Sequence, residues 1–148
     1  MRTSISSVAL FSALALGCVS SLTPSIFQVS PDKGNLDVVQ RAVIISGATI
    51  EIADPQLGVV QTAWESTGSN TDGTMWVHRF TISASSGAST TEMRVDMDLR
   101  TCDPGQGTTR PDGSLDANLC PRVPGAIPRS YQTRLDDFAT LLRDTLSR

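Results

Sequence analysis

The sequence predicts an α+β fold in which an antiparallel sheet of about four strands packs against an N-terminal helix and a long C-terminal helix. Residues 75–84 and 91–100 alternate strictly between apolar and polar side chains. That alternation is typical of antiparallel strands with one buried and one solvent-facing side. Residues 130–148 instead place apolar side chains every three to four positions, which is the pattern of an amphipathic helix that covers a sheet.

The N-terminal helix is predicted over residues 35–46. Its apolar residues recur at helical spacing, Asn35 is suited to cap its first turn, and Gly47 is suited to end it. Ser130 is the candidate cap of the C-terminal helix, since a serine oxygen accepts hydrogen bonds from the free N–H groups of a first turn.

Three shorter strands and a loop complete the prediction. The strands are expected at residues 25–30, 48–53 and 59–65, and the loop at residues 66–74. A turn joins two of these strands at residues 54–58, where proline and glycine favour chain reversal. By alternation, Trp64 is expected on the same face of its strand as Val60 and Thr62.

The composition limits the classes of partner. The 148 residues include 12 basic and 15 acidic side chains, for a net charge of −3. Nucleic acid is therefore not an expected partner, because its binding requires a basic surface. The length suits one domain after a leader segment.

Residues 1–17 have the layout of a secretory signal peptide. A positive start at Arg2 precedes an apolar stretch that is too short to span a bilayer. The sequence ALGC at residues 15–18 resembles the lipobox of bacterial lipoproteins, in which cleavage before the cysteine leaves a thiol that carries lipid. The resemblance implies a lipid on Cys18, and Val19 after it favours the outer membrane. Cleavage after Ala15, which would give a soluble secreted protein, is the alternative.

This interpretation divides the chain into three parts. Residues 18–33 are expected to be a lipidated cysteine with a tether, and residues 34–148 a single domain that faces the periplasm. The lipid is then the contact with the membrane, and another envelope protein is the expected partner.

The cysteine count supports the same interpretation. There are three cysteines, and an odd number in a secreted protein leaves one to be explained. A lipid on Cys18 leaves Cys102 and Cys120, which bracket a polar segment rich in Pro, Gly and Asp. A disulfide loop is therefore predicted at residues 101–122, since disulfides persist in oxidising compartments. Two free thiols are the alternative, and a zinc site is disfavoured because His78 is the only histidine.

The segment at residues 38–66 is similar to the repeated unit of BamC-like outer-membrane lipoproteins. In that unit a helix leads into a strand, an Asp-containing turn, a glycine and a strand that ends in Thr-x-Trp. The matching positions are Asp54, Gly58, Thr62 and Trp64. The resemblance implies a helix-grip-like domain and an accessory role in envelope assembly rather than catalysis. Turn formation and packing of the tryptophan explain the same residues without any binding role.

Two hypotheses of function follow. The first is a lipid-anchored envelope accessory or interaction protein that acts in outer-membrane assembly or maintenance. The alternative is a periplasmic carrier of a small apolar ligand or lipid. For either one, Trp64, Trp76, His78 and Phe80 are the candidate groove or partner-contact residues.

No catalytic residue, metal ligand or cofactor is predicted. His78 is expected on an apolar strand face, and no nucleophile motif accompanies it. Asp96 and Asp98 share a polar stripe with arginines, as on an ordinary exposed sheet face. The segment DGSLDAN at residues 112–118 spaces oxygen-bearing side chains as a calcium loop does, but it lacks the glycine and glutamate of that motif.

Overall fold

The computed structural model describes residues 17–69, 73–103, 105 and 108–148. Within them the chain forms eight strands and two α-helices. The strands are β1 (Cys18–Val19), β2 (Ser25–Val29), β3 (Ile50–Asp54), β4 (Val59–Thr62), β5 (Glu65–Ser69), β6 (Met75–Ser86), β7 (Thr91–Cys102) and β8 (Ile127–Pro128). The helices are α1 (Leu36–Ile45) and α2 (Arg129–Leu146), and a short 3₁₀ helix covers Ala117–Leu119. The predicted signal peptide lies outside the described residues except for Gly17.

The main sheet is built around the long hairpin of β6 and β7. These strands pair along their whole length, from Met75 opposite Cys102 to Ser86 opposite Thr91. The strand order is β2-β7-β6-β4-β3, and β5 also pairs with β6, all antiparallel. A separate two-stranded sheet joins β1 to β8. The predicted α+β class is confirmed, with six strands in the main sheet rather than about four.

Both helices cover one side of this sheet, which we call the inner face. Residues opposite each other on an antiparallel pair share a face, so Phe80 with Met97 and Ile82 with Val95 point to the same side. Together with side chains of α1 and α2 they form the main core. The rings of Phe80 and Phe138 stack with their centroids 4.0 Å apart, which ties α2 to the centre of the sheet.

The helix ends agree with the sequence at α1 but not at α2. The Asn35 side chain accepts a hydrogen bond from the Asp37 N–H at 2.9 Å, and Gly47 adopts a φ of 87°, which favours glycine after a helix. The prediction that Ser130 caps α2 is wrong, because the helix begins at Arg129 and therefore includes Ser130 in its first turn. Pro128 occupies the cap position without a side-chain hydrogen bond.

Two segments predicted to be irregular contain strands. The expected loop at residues 66–74 begins inside β5. The expected tether at residues 18–33 contains both β1 and β2, as the edge-strand prediction at residues 25–30 anticipated for β2. Their partner strands lie far along the chain, so the pairing is not visible in local periodicity.

We expect Leu142→Ala to lower the free energy of unfolding by about 2–5 kcal/mol, because truncation in a core removes buried area and leaves a cavity. Leu142 is fully buried on α2, whereas the adjacent Leu141 is about half exposed. Leu141→Ala is the matched control and should change stability by no more than about 0.5 kcal/mol. Urea denaturation measures both. Equal losses for the two variants would contradict this placement of the helix.

Candidate functional site

The side of the sheet opposite the helices, the outer face, carries a tryptophan that contacts two arginines. The guanidinium of Arg79 lies 4.5 Å from the ring centroid of Trp64, and that of Arg100 lies 5.1 Å from it. The indole N–H of Trp64 donates to the Asn118 side chain at 3.3 Å. These contacts fix Trp64 through its ring faces and its one donor.

The outer position of Trp64 differs from the sequence prediction, which placed it on the same face as Val60 and Thr62. Both β4 and β5 pair with β6, with Gln61 opposite Thr81 and Glu65 opposite His78. The chain therefore advances four residues from Gln61 to Glu65, while β6 advances only three from Thr81 to His78. This extra residue reverses the alternation between Thr62 and Glu65 and turns the indole outward. At the break, the Thr62 hydroxyl accepts a hydrogen bond from the Phe80 N–H at 2.9 Å.

Asp98 is the carboxylate around which the outer-face arginines gather. Arg100 donates to one of its oxygens at 3.1 and 3.3 Å. Arg79 and Arg122 approach different oxygens of Asp98, each at 3.8 Å, which is too long for a hydrogen bond. Arg79 also has a buried Nε with no hydrogen-bond partner among the described residues.

Asp96, the neighbouring acid on the same face, has an arginine of its own. Arg94 donates to its two oxygens at 2.8 and 3.0 Å, and this contact raises the pKa of Arg94. Asp96 and Asp98 are therefore each bound by the arginine two residues away in β7. The predicted polar stripe is confirmed as a row of ion pairs, but at Asp98 and Arg100 it is partly buried rather than fully solvent-facing.

A cleft of about 610 Å³ opens at the edge of β7 beside this cluster. Arg79, Arg122 and Thr81 contribute to its polar side, and so do Asp96 and Asp98, the two acids that Arg94 and Arg100 bind. Its apolar side includes Leu22, Val123 and Ile127. The cleft thus lies between the chain that follows β1 and the chain that leads to β8.

The disulfide loop covers the outer face at one end of the hairpin. Cys102 and Cys120 are bonded, which confirms the predicted pair. With Val77 and Ala117 they form a second, smaller buried cluster, against which Trp64 packs. Arg100 reinforces this contact by donating to the Asn118 carbonyl at 2.8 Å. The loop is consequently part of the fold and not an appendage.

The acidic side chains of the loop are used in local turns. Asp112 accepts from the Ser114 hydroxyl and N–H at 2.6 and 2.9 Å, and Asp116 accepts from the Asn118 N–H at 3.0 Å. The hydrogen bond from Ser114 lowers the pKa of Asp112, and that from Asn118 lowers the pKa of Asp116. Among the described residues no three His, Cys, Asp or Glu side chains group together as metal ligands.

The four predicted groove residues do not line one groove. Trp64 is on the outer face, whereas Trp76, His78 and Phe80 alternate onto the inner face. Trp76 stacks on Tyr131 of α2 with centroids 5.2 Å apart, and Phe80 stacks on Phe138. Contact of any of the four with a partner stays a prediction.

His78 is a polar residue whose side chain is buried in the fold. It is 1% exposed, and neither ring nitrogen has a hydrogen-bond partner among the described residues. Its ring meets Phe80 edge-on, and Glu65 lies 3.8 Å from its Nε2. Burial, with a smaller contribution from the positive charge of Arg134, lowers the pKa of His78 from 6.5 to about 4. The imidazole is therefore neutral at pH 7, which agrees with its predicted place on the apolar strand face.

Cys18 is exposed and begins the strand that joins the N-terminal chain to the domain. It lies opposite Pro128, and the N–H of Arg129 donates to the carbonyl of Gly17 at 3.2 Å. Any group attached to this thiol is consequently next to the start of α2. None of the helices in the described part of the chain is long and apolar enough to cross a bilayer.

No protein-family model matches this chain, and a search of curated proteins finds no relative. Sequence patterns did not predict that Arg79, Arg94, Arg100 and Arg122 form one cluster around Asp96 and Asp98, the arginine cluster. Its local signal was the pair of Arg–Asp spacings in β7, at residues 94–96 and 98–100. Arg79 and Arg122 join it only through strand pairing and the disulfide loop.

We expect replacement of both Cys102 and Cys120 by serine to lower the free energy of unfolding by about 3 kcal/mol, the usual value for a loop of this length. The second cluster should loosen while the inner core persists, because no residue of the inner core belongs to the loop. Denaturant unfolding with and without reductant measures the loss. Reductant should destabilise the wild type but leave the double variant unchanged. A wild type indifferent to reductant would contradict a structural role.

We expect stability to fall between pH 6.5 and pH 4 through His78. Its folded-state pKa lies below its unfolded value, so the unfolded chain binds the proton first as the pH falls. Proton binding stabilises the unfolded state, and the free energy of unfolding decreases. The shift corresponds to at most about 3 kcal/mol. Urea unfolding of the wild type and His78→Leu at pH 7, 5.5 and 4.5 measures it. The variant should lose this part of the pH dependence, and parallel curves for the two proteins would contradict the assignment.

Proposed function

We propose that this protein is a lipid-anchored accessory protein of the bacterial envelope, held at the outer membrane through Cys18 with its domain in the periplasm. The single observation that carries the proposal is the position of this cysteine. It follows the lipobox-like sequence, it is exposed, and it is the one cysteine outside the disulfide.

The disulfide supports an extracytoplasmic location. Disulfides form and persist in oxidising compartments such as the periplasm and are rare in the cytosol. The Cys102–Cys120 bond also supports packing of the loop on the outer face. A chain that depends on this bond is suited to the envelope.

The pairing of β1 with β8 gives the anchor a mechanical consequence. Because Cys18 itself pairs with Pro128, a lipid on its thiol would hold the domain against the bilayer without a flexible spacer. The side of the domain that carries β8 and the first turn of α2 would then lie nearest the membrane. A fixed orientation suits a protein that presents one surface to an envelope partner.

An accessory role, like that implied by the BamC resemblance, is favoured over the carrier hypothesis by the packing between sheet and helices. A carrier would need a ligand-sized cavity there. Instead Phe80 stacks directly on Phe138, and Ile82, Leu135 and Leu142 are almost completely buried.

We expect Cys18→Ala to move the protein from the membrane fraction to the soluble periplasmic fraction, because the variant cannot be acylated. Fractionation and mass spectrometry of the purified chain measure the change. Ser130→Ala, an exposed position two residues after the Cys18 partner Pro128, is the control and should remain membrane-bound with an acyl mass. In a deletion strain, uptake of a dye that an intact outer membrane excludes should be corrected by the wild type and by Ser130→Ala but not by Cys18→Ala.

The anchoring and accessory parts of the proposal fail separately. A wild-type chain that is soluble and carries no acyl mass would reject the anchor. Correction of dye uptake by Cys18→Ala as fully as by the wild type would reject the requirement for anchoring in the accessory role.

A further inference from the structure

We propose that the cleft at the edge of β7 binds a carboxylate that is attached to a small apolar group, with Arg79 and Arg122 as the residues that recognise the charge. This site is independent of any lipid on Cys18. It rests on the charge distribution of the outer face, on the walls of the cleft and on the unpaired edge of β7.

Near the cleft, the arginines of the outer face outnumber its acids. Arg94 and Arg100 are bound to Asp96 and Asp98 at hydrogen-bond distance. The same face adds Arg79 and Arg122, and it adds one further acid, Glu92, beside Arg94. Arg79 and Arg122 are therefore the surplus arginines, because no acid binds either of them at hydrogen-bond distance.

The two surplus arginines are close together and have unused donors. Each places a nitrogen 3.8 Å from a different oxygen of Asp98, so their guanidinium groups flank the same carboxylate. No hydrogen bond joins either side chain to another described residue, and the Nε of Arg79 is buried without a partner. A guanidinium fork in this state gains two charge-assisted hydrogen bonds from a planar carboxylate.

Trp64 holds Arg79 in place for this role. The cation–π contact with the indole at 4.5 Å holds the guanidinium but occupies none of its N–H groups. Arg122, in contrast, has a side chain that is 83% exposed and is free to close on a bound anion. One arginine is thus positioned in advance and the other is adjustable.

The walls of the cleft add a requirement for an apolar group. Leu22, Val123 and Ile127 line the same cleft as the arginines. Burying a small aliphatic group against them is favourable because it removes apolar surface from water. A bare inorganic anion would not use this surface.

The edge of β7 offers free backbone N–H and carbonyl groups in the same cleft, to which a peptide could bind. On this edge β7 pairs with β2 up to Val95 and meets Arg122 through an isolated bridge at Arg100. Among the described residues no strand covers Met97 on this side. Met97 alternates with Leu99, whose carbonyl accepts from the Val123 N–H, so the Met97 N–H and carbonyl point into the gap. The same register would place Thr23, which precedes β2, opposite Met97. The N–H and carbonyl of Thr23 bond instead to the side chain of Gln132 and leave the edge at Met97 unpaired.

The carboxylate can come from a small free acid or from the end of a peptide, and the experiment separates the two. The probes are N-acetyl-leucine, its neutral analogue N-acetyl-leucinamide, hexanoate and inorganic phosphate, each titrated into the full chain. The readout is the indole N–H resonance of Trp64. It is identified by its persistence in Trp76→Phe, since the chain has only two tryptophans.

We expect N-acetyl-leucine to shift the Trp64 resonance saturably and N-acetyl-leucinamide to bind at least about tenfold more weakly, because it lacks the charge. Tighter binding of N-acetyl-leucine than of hexanoate would identify a peptide end as the source of the carboxylate. Equal binding of these two ligands would identify a simple apolar acid. Equal binding of the acid and the amide would overturn the proposal. Phosphate binding as tight as that of N-acetyl-leucine would overturn the ligand class.

The variant series tests the residues. Arg122→Ala should weaken N-acetyl-leucine binding by about tenfold, and Arg122→Lys should restore part of it, since lysine keeps the charge but loses the fork. Arg143→Ala is the matched control, because Arg143 is an exposed arginine that pairs with Asp144 elsewhere on the surface. Arg79→Gln should abolish binding while thermal denaturation still shows a cooperative transition. Unchanged affinity in Arg122→Ala, or an equal loss in Arg143→Ala, would reject the site.

Discussion

The pairing of β6 with β7 is the constraint on which the rest of the structure depends. Twelve residue pairs in one register assign every side chain of the hairpin to one of two faces. A shift of β7 by one residue against β6 would bring Asp98 under the helices and expose Met97. The inner core, the outer-face ion pairs and the surface on which the disulfide loop packs all depend on this single register.

The two faces are covered by different means. On the inner face the helices bury a continuous apolar core through α2 and the stacked pair of Phe80 and Phe138. On the outer face the loop contributes few apolar residues, and a disulfide with backbone contacts from Arg100 holds it in place. The outer face therefore tolerates half-buried charge, which the inner face does not, because cations lie against an indole and a carboxylate instead of aliphatic chains.

The proposed anchor and the proposed carboxylate site lie at the same edge of the molecule. The chain runs from Cys18 through β1 directly into residues 20–22, which line the cleft. The other wall is the segment that leads from the disulfide to β8, the partner of β1. A protein held by Cys18 would consequently present the cleft close to the membrane surface, where an envelope partner is within reach.

Local pattern was sufficient for the α+β class, the two long strands, both helices, the cap at Asn35 and the disulfide, because these depend on periodicity, on turn chemistry or on the cysteine count. Tertiary structure decided the pairing of β1 and β2 with distant strands and the orientation of Trp64. One unmatched residue between β4 and β5 reverses the alternation there, and it is defined only by the register of both strands on β6. The arginine cluster has the same origin, since Arg79, Asp98 and Arg122 are separated in sequence and meet only once the hairpin and the loop have folded.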